Sequence, residues 1–194
     1  HQRVTYHCAA AEALPQDGKK YSLITAAQAA HWFQLEQFYR EVKRVAAPDG
    51  VIALKSYGVL QLDDQLNKRF LRFYHDEIGP YWPPERRLVD NGYRDIHFPF
   101  NAIPAPTLCI SYQWTLQQLL GYISTWSAVT RAREAENSAI LQQFSRDTET
   151  LWGAPHKRRA VRRPADRQRV VARVSVGLGG RRIVHTTPSR TSSS

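Results

Sequence analysis

The chain has 194 residues, 42% of them hydrophobic, which is enough for one domain of ordinary size with its own core. No apolar run approaches the ~20 residues of a membrane span, and the opening His-Gln-Arg-Val is not a basic segment leading into an apolar one, so neither a span nor a signal peptide is expected and a cytoplasmic location is. The formal net charge of +10 is local: 16 Lys/Arg balance 16 Asp/Glu over residues 1–153, whereas residues 154–194 hold 11 Lys/Arg against Asp166 alone.

Every aromatic residue lies before residue 153. Methionine is absent, so His1 is not an ordinary translation start, and a fragment or a mature form is expected. Cys8 and Cys109 are the only cysteines and lie in different segments, which argues against a disulfide framework or a Cys-based zinc site. The seven histidines show no ligand spacing, and no metal site is expected.

Val4–Cys8 is a short β-prone segment. Ala9–Pro15 follows as a small-residue loop carrying Glu12, and Asp17-Gly18-Lys19-Lys20 is a polar turn. Ser22–Ala27, small and β-branched, suits a buried strand. Leu35, Phe38, Tyr39, Val42 and Val45 then recur at helical spacing on one apolar face. Ala47-Pro48-Asp49-Gly50 ends that helix, and Val51–Leu54 is a second apolar run. Two apolar strands joined by an amphipathic helix imply a parallel sheet covered on its faces. Ligands of such sheets sit beyond the carboxyl ends of the strands. Here that corner is Ala26–Phe33, with Gln28, His31 and Trp32 projecting from it.

After Tyr57-Gly58 the pattern is helical. Leu62, Leu66, Phe70 and Phe73 share one face of a helix over about Asp63–Glu77, stopped by Gly79-Pro80. Pro83-Pro84 opens a short helix closed by Asn91-Gly92. Ile96–Phe100 reads as a strand, with Pro99 favouring an edge or a bulge. Leu108–Trp114 reads as a strand or an approach segment. Thr115 caps a helix bearing Leu116, Leu119, Leu120 and Ile123, and a last helix spans about Arg133–Leu151. From Ala154 periodicity is lost. Val170–Val176 and Ile183-Val184 are strand candidates in a basic, low-complexity tail expected to be largely mobile. The chain thus divides into 1–58 (sheet core), 59–153 (helical cap and remaining core elements) and 154–194 (basic tail).

AAAEALP (9–15), YSLITAAQAAHWF (21–33) and APDGVIAL (47–54) resemble the later half of a class I S-adenosylmethionine-dependent methyltransferase. The pattern is similar to the type 11 group, in its branch resembling trans-aconitate methyltransferases. YWPPERRLVDNGY (81–93) and GYISTWSAV (121–129) resemble the same branch. The resemblance covers about residues 4–153. It implies an α/β fold: a Rossmann-like methyltransferase sheet represented by its later strands only, with a helical cap and a disordered basic tail. It also implies methyl transfer from S-adenosyl-L-methionine to a small-molecule acceptor. By the same resemblance Ala10, Ala11 and Glu12 border the adenine, Ala26, Ala27 and Gln28 face the methionine part of the cofactor, and His31 and Trp32 face the transferable methyl and the acceptor. The helical insert and Tyr122–Ser127, including Tyr122 and Trp126, roof the acceptor. The family's Gly-rich first loop and the acidic residue after its second strand would precede His1, which implies weak or no cofactor binding by this chain alone. The family's last strand falls near Val161–Val174, where VRRPADRQRVVARV stands in place of a pattern with an aromatic after Val-Arg.

Methyl transfer from a sulfonium is an in-line displacement that asks the protein for alignment and exclusion of water. A carboxylate acceptor needs orienting donors such as His, Arg or Tyr and no base, whereas a hydroxyl or carbon acceptor would use His31 as the base. Structural roles stand beside each functional one: His31 as a hydrogen-bonded strand-end residue, Trp32 and Trp126 as packing, Glu12 as a solvated carboxylate, and Arg86 and Arg87 as an exposed helix face. The other readings of the chain are a non-catalytic methyltransferase-like fragment, or a nucleic-acid-associated protein acting through its tail. The tail lacks the interleaved aromatics and the recognisable modules that specific nucleic-acid binding uses.

Overall fold

The computed structural model describes residues 2–15, 18, 20–104, 109–164 and 169–174. It is a mixed α/β fold built on a partial sheet. Strand β1 (Tyr21–Ala27) runs parallel to β2 (Ala46–Lys55), with Ile24 opposite Ile52 and Ala26 opposite Leu54. The helix between them, α1 (Leu35–Val45), buries Phe38, Tyr39, Val42 and Val45, the face that its apolar spacing predicts. Ala47–Gly50 does end α1, but it is already part of β2, and the register with β1 shifts between Tyr21 and Leu23. Gly50 is required there: a Cβ would stand 3.0 Å from both the Ala47 and the Tyr21 carbonyl oxygens.

The later strands are β3 (Asn101–Ala102), β4 (Cys109–Trp114), β5 (Arg159–Pro164) and β6 (Arg169–Arg173). β6 is antiparallel to both β2 and β3, giving the sheet order β1-β2-β6-β3. β4 and β5 form a separate antiparallel pair. The remaining helices are α2 (Asp64–Arg72), which runs on as a π-type turn through Phe73–Glu77, α3 (Arg86–Asp90), α4 (Leu116–Ser124), α5 (Ser127–Glu134) and α6 (Ser138–Trp152).

Two apolar clusters result. One packs α1 on the sheet through Phe38, Tyr39, Val42, Ile52 and Leu54, with Val89, Tyr93 and Ala172. The other is the cap core: Leu66, Phe70, Phe73, Tyr74, Leu119, Ile123, Phe144, Trp152 and Val161.

Four stretches differ from the sequence expectation. Val4–Cys8 is not a strand; it has no ladder partner among the described residues, and Val4 and Tyr6 are exposed. Ile96–Phe100 is not a strand either. Pro99 lacks a ladder donor, and Phe98 and Phe100 instead set their ring edges against Tyr39, at 5.9 and 5.3 Å between centroids. The expected helix over Arg133–Leu151 is two helices, broken where Glu136 takes a left-handed φ of 59° and Asn137 N donates to Ala132 O at 2.8 Å. The fourth lies in the basic segment, where no periodicity is read over residues 159–164 and yet β5 forms, because alternate side chains face inward: Val161 and Arg163 are buried and Arg162 is exposed; β6, by contrast, falls on the strand candidate Val170–Val176. Ile183-Val184 lies outside the described residues.

A candidate acceptor site at the carboxyl end of the parallel strands

At the end of β1 the backbone turns sharply. Gln28 sits in the left-handed region at φ 55°, a conformation uncommon for a residue with a Cβ. Its N–H donates to Lys55 O at 2.9 Å, and its side-chain Nε2 donates to Tyr57 O at 3.3 Å. The chain exits of β1 and β2 are thereby tied together. Ala26 is buried, while Ala27 is open to solvent.

His31 follows in a 3₁₀ turn (Ala30–Trp32). It is half-buried, and its Nδ1 lies 2.9 Å from the Tyr93 hydroxyl. Burial, helped by the positive charge of Arg86 and opposed by Glu85, holds the His31 pKa below its usual 6.5, so the ring is neutral at pH 7. Burial pushes the Tyr93 hydroxyl up, so it stays protonated. Tyr93 itself has a positive φ of 59°. Trp32 is 58% exposed and stands beside the His31 ring, with centroids 5.0 Å apart.

The loop before β1 is fastened to α1. Glu12 Oε1 accepts from Gln34 N at 2.7 Å, serving a helix start that has no side-chain cap of its own. Glu41 Oε2 accepts from Leu14 N at 3.0 Å, and Arg44 bridges Glu41 and the Leu14 carbonyl. The Glu41 carboxyl is held below its usual range by Arg44. Ala11 packs against the sheet core, and Ala10 is exposed.

Beyond the corner lies a cavity of about 240 Å³. Gln28 and Tyr57–Leu60 line it from the sheet side. Tyr74, Trp82 and Arg86 line it from the insert, Tyr122 and Thr125–Ser127 from the α4–α5 junction, and Arg163 from β5. Trp126 is the hub of the aromatic wall, 5.6 to 5.8 Å from the rings of Trp82, Tyr122 and Tyr74. The Tyr74 hydroxyl donates to Asp90 Oδ1 and accepts from Arg86 Nε, both at 2.8 Å; burial raises its pKa strongly. α4, which carries Tyr122, starts with a full capping box between Thr115 and Gln118.

Gln28, Tyr122 and Trp126, expected from sequence, meet on this cavity. His31, Trp32, Ala10, Ala11, Glu12, Ala26 and Ala27 do not line it. Tyr57, Tyr74, Trp82 and Arg163 are additions. The inward period of two in Ala160–Arg163 is the signal that would have found Arg163; its neighbours' charges hid it. A larger, shallower groove of about 760 Å³ shares Tyr74, Trp82 and Arg86 but touches neither strand end.

A solved structure of a type II methyltransferase from Anaeromyxobacter dehalogenans superposes with a TM-score of 0.79 and 37% identity, over 90% of this chain and 73% of that one. The chain belongs to the methyltransferase family. The family's methyltransferase-domain model matches residues 1–54, ending within β2. A Dictyostelium discoideum protein named as a methyltransferase is 33% identical over 154 residues, 78% of this chain; this methyltransferase chain spans 57% of that relative's length.

Proposed function

We propose that this chain takes part in S-adenosylmethionine-dependent methyl transfer to a small carboxylic acid, within the branch resembling trans-aconitate methyltransferases, in the cytoplasm. The observation that carries the reading is the cavity that joins Gln28, at the carboxyl end of β1, to the aromatic cap residues Tyr122 and Trp126. Among the described residues no helix is long and apolar enough to cross a membrane. In the basic segment Arg159 and Arg163 are turned into the fold, which takes them off the surface that a nucleic-acid backbone could meet.

The residues at the strand end fit a cofactor's edge. Ala26 and Ala27 are small, and Gln28 turns the backbone away in a left-handed conformation, so a ligand can lie against the main chain. Glu12, anchored on Gln34 N, would border the adenine, and Ala10 and Ala11 would flank it. When bound, the cofactor supplies an electrophilic methyl group on sulfur. The chain's own part is to hold the acceptor in line and exclude water. Tyr57, Trp82, Tyr122 and Trp126 form the water-excluding wall. An acceptor carboxylate is already ionised at neutral pH, so no general base is required. His31, neutral and hydrogen-bonded to Tyr93, lies outside the cavity with Trp32 beside it, and its part is to hold the shape of the corner next to the acceptor.

The test is calorimetric titration of S-adenosylhomocysteine into the protein expressed from its complete gene. Saturable binding, weakened by Gln28→Ala, is expected. Absence of any binding removes the enzyme reading and leaves a non-catalytic member of the family.

A further inference from the structure

Arg163 stands apart from the other arginines turned into this fold. Arg69 pairs with Glu77 and Asp147, Arg86 with Asp90, and Arg159 with Asp63. Arg163 is only 4% exposed, yet among the described residues it has no ion pair. Its Nε is buried without a hydrogen-bond partner. It is held instead by two rings, with Cζ 4.3 Å from the Tyr57 centroid and 4.5 Å from that of Tyr122. Stacking on aromatic faces offsets part of the cost of burying a guanidinium, but it satisfies none of the in-plane N–H donors. The side chain lines the 240 Å³ cavity, whose wall contains two arginines and no Asp or Glu.

We propose that Arg163 selects the acceptor by anchoring one of its carboxylates in this cavity; the proposal rests on the methyl-transfer reading of the same site. A buried cation without an anion is the kind of site that an incoming anion completes. The guanidinium is planar and its Cζ stands over both the Tyr57 and the Tyr122 ring, so its N–H edge is what an anion can pair with, and a carboxylate matches that edge with two parallel hydrogen bonds. The small volume and aromatic walls suit a small flat acid.

The full chain, labelled with ¹⁵N, is titrated with succinate, fumarate and citrate at constant ionic strength, with dimethyl succinate as the uncharged control. The Arg163 Nε–H resonance, assigned by its loss in Arg163→Lys, is followed. The expected result is a saturable shift with at least one of the acids at millimolar concentration and none with the diester. Arg163→Met should weaken that binding by about 10- to 100-fold, the range for a lost charge-assisted hydrogen bond. A resonance that no acid moves, or an Arg163→Met protein that binds acids as the wild type does, overturns the proposal. Because the resonance is read in the wild type, the outcome does not depend on Arg163→Met folding. A shift with inorganic phosphate alone overturns the carboxylate assignment. Binding of acids without S-adenosylhomocysteine binding keeps the anchor and removes methyl transfer; the converse removes the anchor only.

Discussion

Gln28 offers the sharpest test of how the corner is built. Its φ of 55° costs about 1–2 kcal/mol for an L-residue, and its side chain returns one hydrogen bond to Tyr57 O at 3.3 Å. A long, half-exposed bond of this kind contributes about 0.5 kcal/mol. Gln28→Ala removes the bond and keeps the strain, so a loss of about 0.5 kcal/mol is expected. Gln28→Gly removes the bond and the strain, against an entropy cost of about 0.5–1 kcal/mol in the unfolded chain. Glycine should therefore be at least as stable as alanine here, by up to ~1.5 kcal/mol, the reverse of their order within helices and strands. Urea unfolding of the two variants, compared by midpoint at equal slope, reads the difference directly. An alanine variant more stable than the glycine one would refute the reasoning, since the backbone would then relax without strain and leave only the entropy cost of glycine. Both variants should lose cofactor affinity despite their different stabilities, because each removes the side chain that ties the β1 exit to Tyr57 O.

Three further outcomes follow from the same geometry. Phe144→Ala removes a ring stacked 4.0 Å from Phe73 and lying 5.1 Å beneath Arg69; chemical denaturation should show a loss of about 3–5 kcal/mol. Thr115→Ala breaks the α4 capping box and should cost about 1 kcal/mol in the same assay. His31 carries a pH signature. Its folded-state pKa lies below 6.5, so as pH falls the unfolded chain binds the proton first. The stability it permits is complete above about pH 6.5 and is lost as pH falls from there toward the folded-state value. Melting temperatures at pH 7.5 and 5.5 should therefore diverge less in His31→Gln than in the wild type.

The order and pairing of the β1-α1-β2 unit were legible because its apolar residues follow one helical face and two strand runs; the burial expected of β1 was not found, since only Ala26 is buried along it, and the sheet is mixed because β6 joins it antiparallel. Topology marked the strand end as a place to look, but of the corner residues only Gln28 lines the cavity. The cap was readable in its helices but not in its break at Glu136, where a left-handed residue ends α5 without a glycine. Of the last strands, β6 falls on the candidate run Val170–Val176, although its long-range pairing with β2 is something no local pattern encodes; β5 carried no readable local signal. In β5 an inward arginine among outward ones reads as uniform charge. Arg163 was hidden in that way, although it faces the same cavity as Gln28.

The most direct test is transfer of an isotopically labelled methyl group from S-adenosylmethionine, by the protein expressed from its complete gene, onto a panel of small carboxylic acids. The account predicts a base-labile label on at least one acid, characteristic of a methyl ester, and loss of that product in Gln28→Ala. Cofactor binding with label transferred only to hydroxyl or carbon acceptors would contradict it.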